Sequence, residues 1–122
     1  MASSKLKLVY VAGPYRGTCT YDVELNIQAA RALGAKVVHA GAYPVIPHSN
    51  TSHMDGLAPD KFWLEGTLEL MRRCDAVIYT EDWERSTGAR AERAEAVRLG
   101  LPCFDGLAEL RGWLVAERER GQ

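Results

Sequence analysis

Short β-branched runs ending at Gly or Pro alternate along this chain with longer segments of helical period, and that alternation constrains the fold more than any other feature. Residues 6–12 are rich in Leu, Val and Tyr and stop at Gly13-Pro14, which reads as a first strand. From 22 to 40, Val23, Ile27, Ala30, Leu33, Val37 and Ala40 recur at three- and four-residue steps. They predict a helix capped by Thr20 or Asp22 and stopped by Gly41. Residues 36–39 read alternatively as a strand. Residues 43–47 supply the next strand, however, and two adjacent strands so close would need a longer connection. A polar loop (48–59) follows, then a helix (60–73) on which Phe62, Trp63, Leu64, Leu68 and Met71 cover much of the surface. Residues 75–80 form the central strand and lead through a loop into an Ala/Glu/Arg helix that ends at Gly100. A short strand (101–104) and a helix from 106, with Leu107, Leu110 and Leu114 on one face, complete the chain. Residues 118–122 are expected to fray.

Such alternation implies an α/β fold, a parallel sheet covered on both faces. Right-handed crossovers and a chain starting mid-sheet favour a flavodoxin-like or Rossmann-like three-layer sandwich of about four strands in order 2-1-3-4. Ligands then bind at the C-terminal strand ends flanking the switch point between strands one and three. Those ends carry residues 13–17 and 80–88. With 122 residues the chain is read as one domain, 1–122. Its net charge of -1 leaves no basic footprint for nucleic acid. Cys19, Cys74 and Cys103 are scattered without a C-x-x-C pair, which points to reduced thiols and a cytoplasmic setting. The N-terminus carries no signal-peptide pattern, and the first apolar run is too short to span a membrane, so no membrane partner is expected.

Within this frame the segment from Trp83 to Glu92 (Trp-Glu-Arg-Ser-Thr-Gly-Ala-Arg-Ala-Glu) stands out. A Ser-Thr-Gly loop between strand and helix offers backbone N–H groups to an anion. On a helical wheel Glu92 shares the face of Ala89, Ala96 and Leu99, the side that packs inward. It reads either as a catalytic carboxylate in a cleft or as a first-turn Glu favoured by the helix dipole and paired with Arg90 or Arg93. The Gly13-Pro14-Tyr15-Arg16-Gly17 loop is either a ligand cradle with Arg16 as anion clamp or a tight turn; it is neither a Walker loop nor a G-x-G-x-x-G motif. His48, His53 and Asp55, with His39 further back, match no tight metal-ligand spacing, and a polar rim is expected instead of a metal site. Trp63 and Trp113 read as core or anchoring residues, while Trp83 is left open as a contact in the loop.

These residues together resemble a known family. The first strand and loop, Val9 to Gly17, and the second half, Cys74-Asp75-Ala76-Val77-Ile78 followed by Trp83 to Glu92, resemble the nucleoside 2-deoxyribosyltransferase-like superfamily over about residues 8–104. The similarity is greatest to a small phage- and bacteria-associated branch of unknown function, related to deoxynucleoside 5′-monophosphate N-glycosidases. The resemblance implies that Glu92 is a nucleophile attacking the anomeric carbon and that Tyr10 hydrogen-bonds its carboxylate. It also implies that Arg16, Ser86 and Gly88 hold a 5′-phosphate. A carboxylate nucleophile below the sugar fits the chemistry of retaining glycosidases. The family usually has an Asp eight residues before the strand-opening Asp, to bind or protonate the base. Thr67 stands there, with Glu65 and Glu69 as neighbouring substitutes.

The reading carried forward is cleavage or transfer of an N-glycosidic bond in a deoxynucleoside or its 5′-monophosphate, without cofactor or metal. Glu92 and Tyr10 are the catalytic pair. Gly13, Pro14, Arg16, Gly17, His48, Asp55, Glu65, Glu69, Trp83, Ser86, Gly88 and Arg90 are the candidate substrate contacts. The alternative is a non-catalytic module of the same fold that binds a nucleotide or an ADP-ribose-like ligand as a sensor. The resemblance further implies a homodimer or higher homo-oligomer, with the helix from Asp22 and the Trp63-bearing helix available as interface.

Overall fold

The computed structural model of the chain describes residues 6–121, without the side chain of Asp55. Four strands, β1 (Leu8–Ala12), β2 (Tyr43–Val45), β3 (Ala76–Tyr79) and β4 (Cys103–Phe104), form one parallel sheet in the order β2-β1-β3-β4. Five helices accompany them: α1 (Thr20–Ala40), α2 (Pro47–Asn50), α3 (Asp60–Arg72), α4 (Thr87–Leu99) and α5 (Leu107–Arg120). The expected α/β architecture and strand order are both present.

Period-two alternation in the central strands splits the core into two layers. Val9, Val11, Ala76 and Ile78 face α1 and α5, where they meet Ala30, Val37, Leu110 and Leu114. Tyr10, Ala12, Val77 and Tyr79 face the other way, against Met71 of α3 and Ala96 of α4. Tyr10 pairs in register with Val45 on one side and Val77 on the other, so it lies mid-sheet and is fully buried. The start of β1 is fixed by Asp75. Its carboxylate accepts from the Leu8 N–H at 2.7 Å, and its own N–H donates to the Leu8 carbonyl at 2.8 Å.

Several boundaries differ from the sequence reading. Residues 36–39 are helical, and α1 runs unbroken to Gly41, which adopts a left-handed conformation and donates to the Val37 and Val38 carbonyls. The cap of α1 is Cys19 instead of Thr20 or Asp22. Asp22 sits inside the first turn and accepts from both the N–H and the hydroxyl of Thr18. Pro47 opens the short α2 instead of closing a strand, because its fixed φ and missing N–H suit the first position of a helix. Leu99 is 40% exposed, at the last residue of α4, and does not join the inward face with Glu92. The C-terminal residues are helical to Arg120 instead of frayed, tied by the Gly121 N–H to Glu117 and by an Arg120–Glu117 ion pair; Gln122 is outside the described residues. Among the described residues, no helix is long and apolar enough to cross a membrane.

Candidate active site

The loops after β1 and β3 open onto a single cleft of about 1010 Å³, as the switch point of a parallel sheet requires. Its walls are the 13–18 loop, the first turns of α1, the start of α2, one face of α3, and the segment from Asp82 to Glu92. Gly13 and Gly17 are set by packing. A Cβ on Gly13 would run into the Thr80 side chain, and one on Gly17 into Asp22, so the loop lies close against β3 and α1. Three of its carbonyls are tied down from below. His48 Nε2 donates to the Pro14 oxygen at 2.7 Å, and Asn26 Nδ2 donates to those of Tyr15 and Arg16 at 3.0 and 3.2 Å. The Tyr15 hydroxyl in turn accepts from the His53 N–H at 3.0 Å.

Ser86 caps α4, its hydroxyl accepting from the Ala89 N–H at 3.1 Å, and the helix carries Ala89, Glu92 and Ala96 inward at helical spacing. Glu92 is 6% exposed, yet it lines the cleft. The Tyr10 hydroxyl donates to its carboxylate. Neither arginine beside it on α4 pairs with it. Arg90 folds back onto the Glu84 carbonyl at 2.5 Å and the Thr87 hydroxyl at 3.2 Å, while Arg93 bonds Asp105 at 2.5 and 3.3 Å. Burial pushes the Glu92 carboxyl up to about 7, against the opposing hydrogen bonds from Tyr10 and Thr67. Burial, then the adjacent Glu92 charge, raises the Tyr10 phenol well above its ordinary value, so Tyr10 remains a donor.

Of the other expected contacts, Gly13, Pro14, Arg16, Gly17, His48, Ser86 and Gly88 line the same cleft. Arg16 reaches across it to Asp60 at the start of α3, with 2.5 Å between guanidinium and carboxylate. His48 is buried, its ring committed to the Pro14 carbonyl and its Nδ1 without a partner; burial lowers its pKa and keeps it neutral. It therefore acts as an anchor of the loop.

Glu65, Glu69, Trp83 and Arg90 fall outside the cleft wall. The helical period of α3 turns Trp63, Leu64 and Thr67 to the cleft and sends the two glutamates to solvent. There Glu65 meets Lys61 at 3.8 Å, and Glu69 pairs with Arg72 and Arg73. Trp83 lies in a short 3₁₀ turn and packs on Tyr79, ring centroids 5.3 Å apart, with the Arg93 guanidinium 4.7 Å from the centre of each ring. Asp55 belongs to another 3₁₀ turn (Asp55–Leu57); its side chain is outside the described residues. His39 is on the last turn of α1 and His53 pairs with Glu24 at 2.6 Å. Among the described residues no three metal-ligating side chains gather.

Thr67, Arg85, Lys61, Asp22 and Asp60 line the cleft and were not singled out as contacts from sequence, except Thr67 as a departure from the family pattern. Arg85 had a readable signal, since it immediately precedes the Ser-Thr-Gly loop. The lining cations are Arg16, Lys61 and Arg85, set against the carboxylates of Asp22, Asp60, Asp82 and Glu92. A cleft of balanced charge with one buried carboxyl titrating near neutrality can bind a polar ligand of modest anionic charge and present a nucleophile to it.

Comparison with known proteins gives three results. A family model described as a domain of unknown function, DUF7768, matches residues 7–105. No curated protein matches. Among solved structures, a 2-deoxyribosyltransferase from the psychrotolerant bacterium Bacillus psychrosaccharolyticus shares the fold. The TM-score is 0.60 at 18% identity, over 80% of this chain and 70% of that one.

Proposed function

The chain belongs to the DUF7768 family, a domain of unknown function, and we propose that it cleaves or transfers the N-glycosidic bond of a deoxynucleoside or deoxynucleoside 5′-monophosphate. One observation carries the reading: a buried cleft carboxyl, Glu92, receives a hydrogen bond from Tyr10 and has no arginine paired to it. The shared 2-deoxyribosyltransferase fold supports it. In its ionised form Glu92 attacks the anomeric carbon as the C–N bond breaks, and the bond electrons leave with the base. The positive charge that develops on the sugar is met by the carboxylate, giving a covalent glycosyl-Glu92 ester. Water or a second base then takes the sugar and frees Glu92. Tyr10 aims the carboxylate by donating to it.

For a 5′-phosphate, the receiving groups are the N–H groups at the start of α4 around Ser86 and Gly88, with Arg85 beside them. Arg16 joins them by exchanging Asp60 for the phosphate. Trp63, Leu64 and Leu25 offer the base an apolar wall. Tyr21 of α1 and Phe62 of α3 are exposed on two of the helices that frame the cleft, and these helices are the faces proposed to meet a second copy.

The second reading, a nucleotide-binding sensor without catalysis, is favoured by Thr67 standing where the sequence resemblance implies a carboxylate. One assay separates the two. The protein is incubated with a panel of deoxynucleosides and their 5′-monophosphates, and free base is measured by chromatography. Base release lost in Glu92→Gln is the expected result. Binding without release, unchanged in Glu92→Gln, overturns the enzyme reading in favour of the sensor.

A further inference from the structure

Among the polar side chains that α3 brings to the cleft, Thr67 is the one that meets Glu92 and Tyr10, while Asp60 and Lys61 stand at the first turn of the helix. Its hydroxyl donates to the Leu64 carbonyl one turn back, at 3.0 Å, and lies within hydrogen-bonding reach of both the Glu92 carboxyl and the Tyr10 phenol. The geometry is restrictive. A hydroxyl has one proton and two lone pairs, so while it donates to Leu64 it can only accept from Glu92. When it donates to Glu92 it must release Leu64, whose carbonyl then keeps its bond within the helix.

We propose that the Thr67 hydroxyl is a positioning group for Glu92, a one-proton rotor that hydrogen-bonds the carboxyl in both of its protonation states and so keeps the carboxylate form accessible. With Glu92 protonated, the acid O–H donates to Thr67 and Thr67 donates to Leu64. With Glu92 ionised, the Thr67 proton turns to the carboxylate, which then holds two donors, Tyr10 and Thr67. Without that second donor, a carboxylate this deeply buried would depend on Tyr10 alone.

The other groups facing Glu92 do not supply this. Tyr10 from β1 is held protonated, and its single proton is already placed on the Glu92 carboxyl. Tyr79 from β3 is likewise kept protonated by burial, and its hydroxyl sits 3.6 Å from Cys103 Sγ. Cys74, between α3 and β3, is pushed up to about 11 by burial and stays a neutral thiol. Arg93 on α4 is turned to Asp105, and Arg90 to Glu84. The inference deepens the reading of Glu92 as nucleophile, but its core claim concerns the ionisation of Glu92 and is measurable without any reaction.

The test is a carbon-detected NMR titration of the Glu92 side-chain carboxyl in the full chain, assigned by its loss in Glu92→Gln, compared across the unmodified protein, Thr67→Val and Thr67→Ser. Thr67→Val keeps the branched shape and removes the hydroxyl. It is expected to raise the Glu92 midpoint by about one pH unit, and Thr67→Ser to return it close to the original. A midpoint unmoved in Thr67→Val overturns the proposal. So does a midpoint displaced equally in Thr67→Ser, which would make the effect one of packing. If Thr67→Val does not fold, Thr67→Ala against Thr67→Ser gives the same comparison. Should the protein release no base from any nucleoside, the enzyme reading fails while this titration still decides the role of Thr67.

Discussion

The Tyr10 hydroxyl donates to the Glu92 carboxylate, joining the middle of the inner strand β1 to the second turn of α4 across 82 residues of chain. Tyr10 is 0% exposed, so the bond is shielded from bulk water, where a hydrogen bond to a charge is strong. Its removal is informative because Phe fills the same volume. Tyr10→Phe is expected to raise the Glu92 pKa and to lower kcat/KM at pH 7 by about tenfold to a hundredfold. The loss should shrink as pH rises and ionisation is restored. A pH series of base release on both proteins checks this.

The pKa of about 7 sets the pH dependence of the unmodified protein. The nucleophile must be ionised, so kcat/KM for base release is expected to rise tenfold per pH unit below about 7 and to level off above it. An acid limb centred near 4.5, the ordinary carboxyl value, would show that burial does not hold the reacting carboxyl protonated near neutral pH.

The same group makes a stability prediction. Its folded pKa lies above its unfolded value, so the folded state holds the extra proton between pH 4.5 and about 7. Stability from this group is complete below that window and is lost as pH rises through it. The displacement corresponds to about 3 kcal/mol. Glu92→Gln keeps an acceptor for Tyr10 without a charge. It is expected to be inactive, by on the order of 10³-fold or more, and to unfold at a higher temperature than the parent at pH 8. Calorimetry at about pH 4, below the window, should show the two nearly equal.

Arg16 tests the phosphate assignment through its partner. In Asp60→Asn the guanidinium loses its ion pair with Asp60. KM for a 5′-monophosphate should then fall by about two- to fivefold while KM for the matching nucleoside holds steady. Equal changes for both substrates would argue against a phosphate at Arg16.

Arg93 clamps the loop without touching the cleft. Its guanidinium covers Tyr79 and Trp83 and pairs with Asp105 on the segment after β4. Arg93→Ala is expected to cost about 1–2 kcal/mol in denaturant unfolding and to change Trp83 fluorescence in the folded state.

The sheet order, the two converging loops and the inward direction of Glu92 were legible because each rests on local periodicity: alternation in β1 and β3, and a three-to-four-residue step in α4. What escaped was which way long side chains lie once several partners compete. Arg90 looked like a ligand contact, but the Glu84 carbonyl and Thr87 hydroxyl are nearer acceptors. Trp83 sits in the loop by number, yet its ring finds more apolar surface on Tyr79. Glu65 and Glu69 were offered in place of a missing carboxylate by proximity in sequence, whereas the helix turns them to solvent and presents Thr67. The Arg16–Asp60 contact joins residues 44 apart and had no local sign at all.

The Asp75–Leu8 staple has a consequence beyond stability. A parallel strand flanked on both sides can index in steps of one residue, and a single step exchanges its two faces. In β1 that step would send Tyr10 toward α1 and α5 and set an aliphatic side chain opposite Glu92. Two hydrogen bonds at the far end of the strand, 2.7 and 2.8 Å long, forbid it. The Cys-Asp pair that opens β3 is thus a zero mark, and the distance counted from it decides which residue of β1 arrives at the carboxylate.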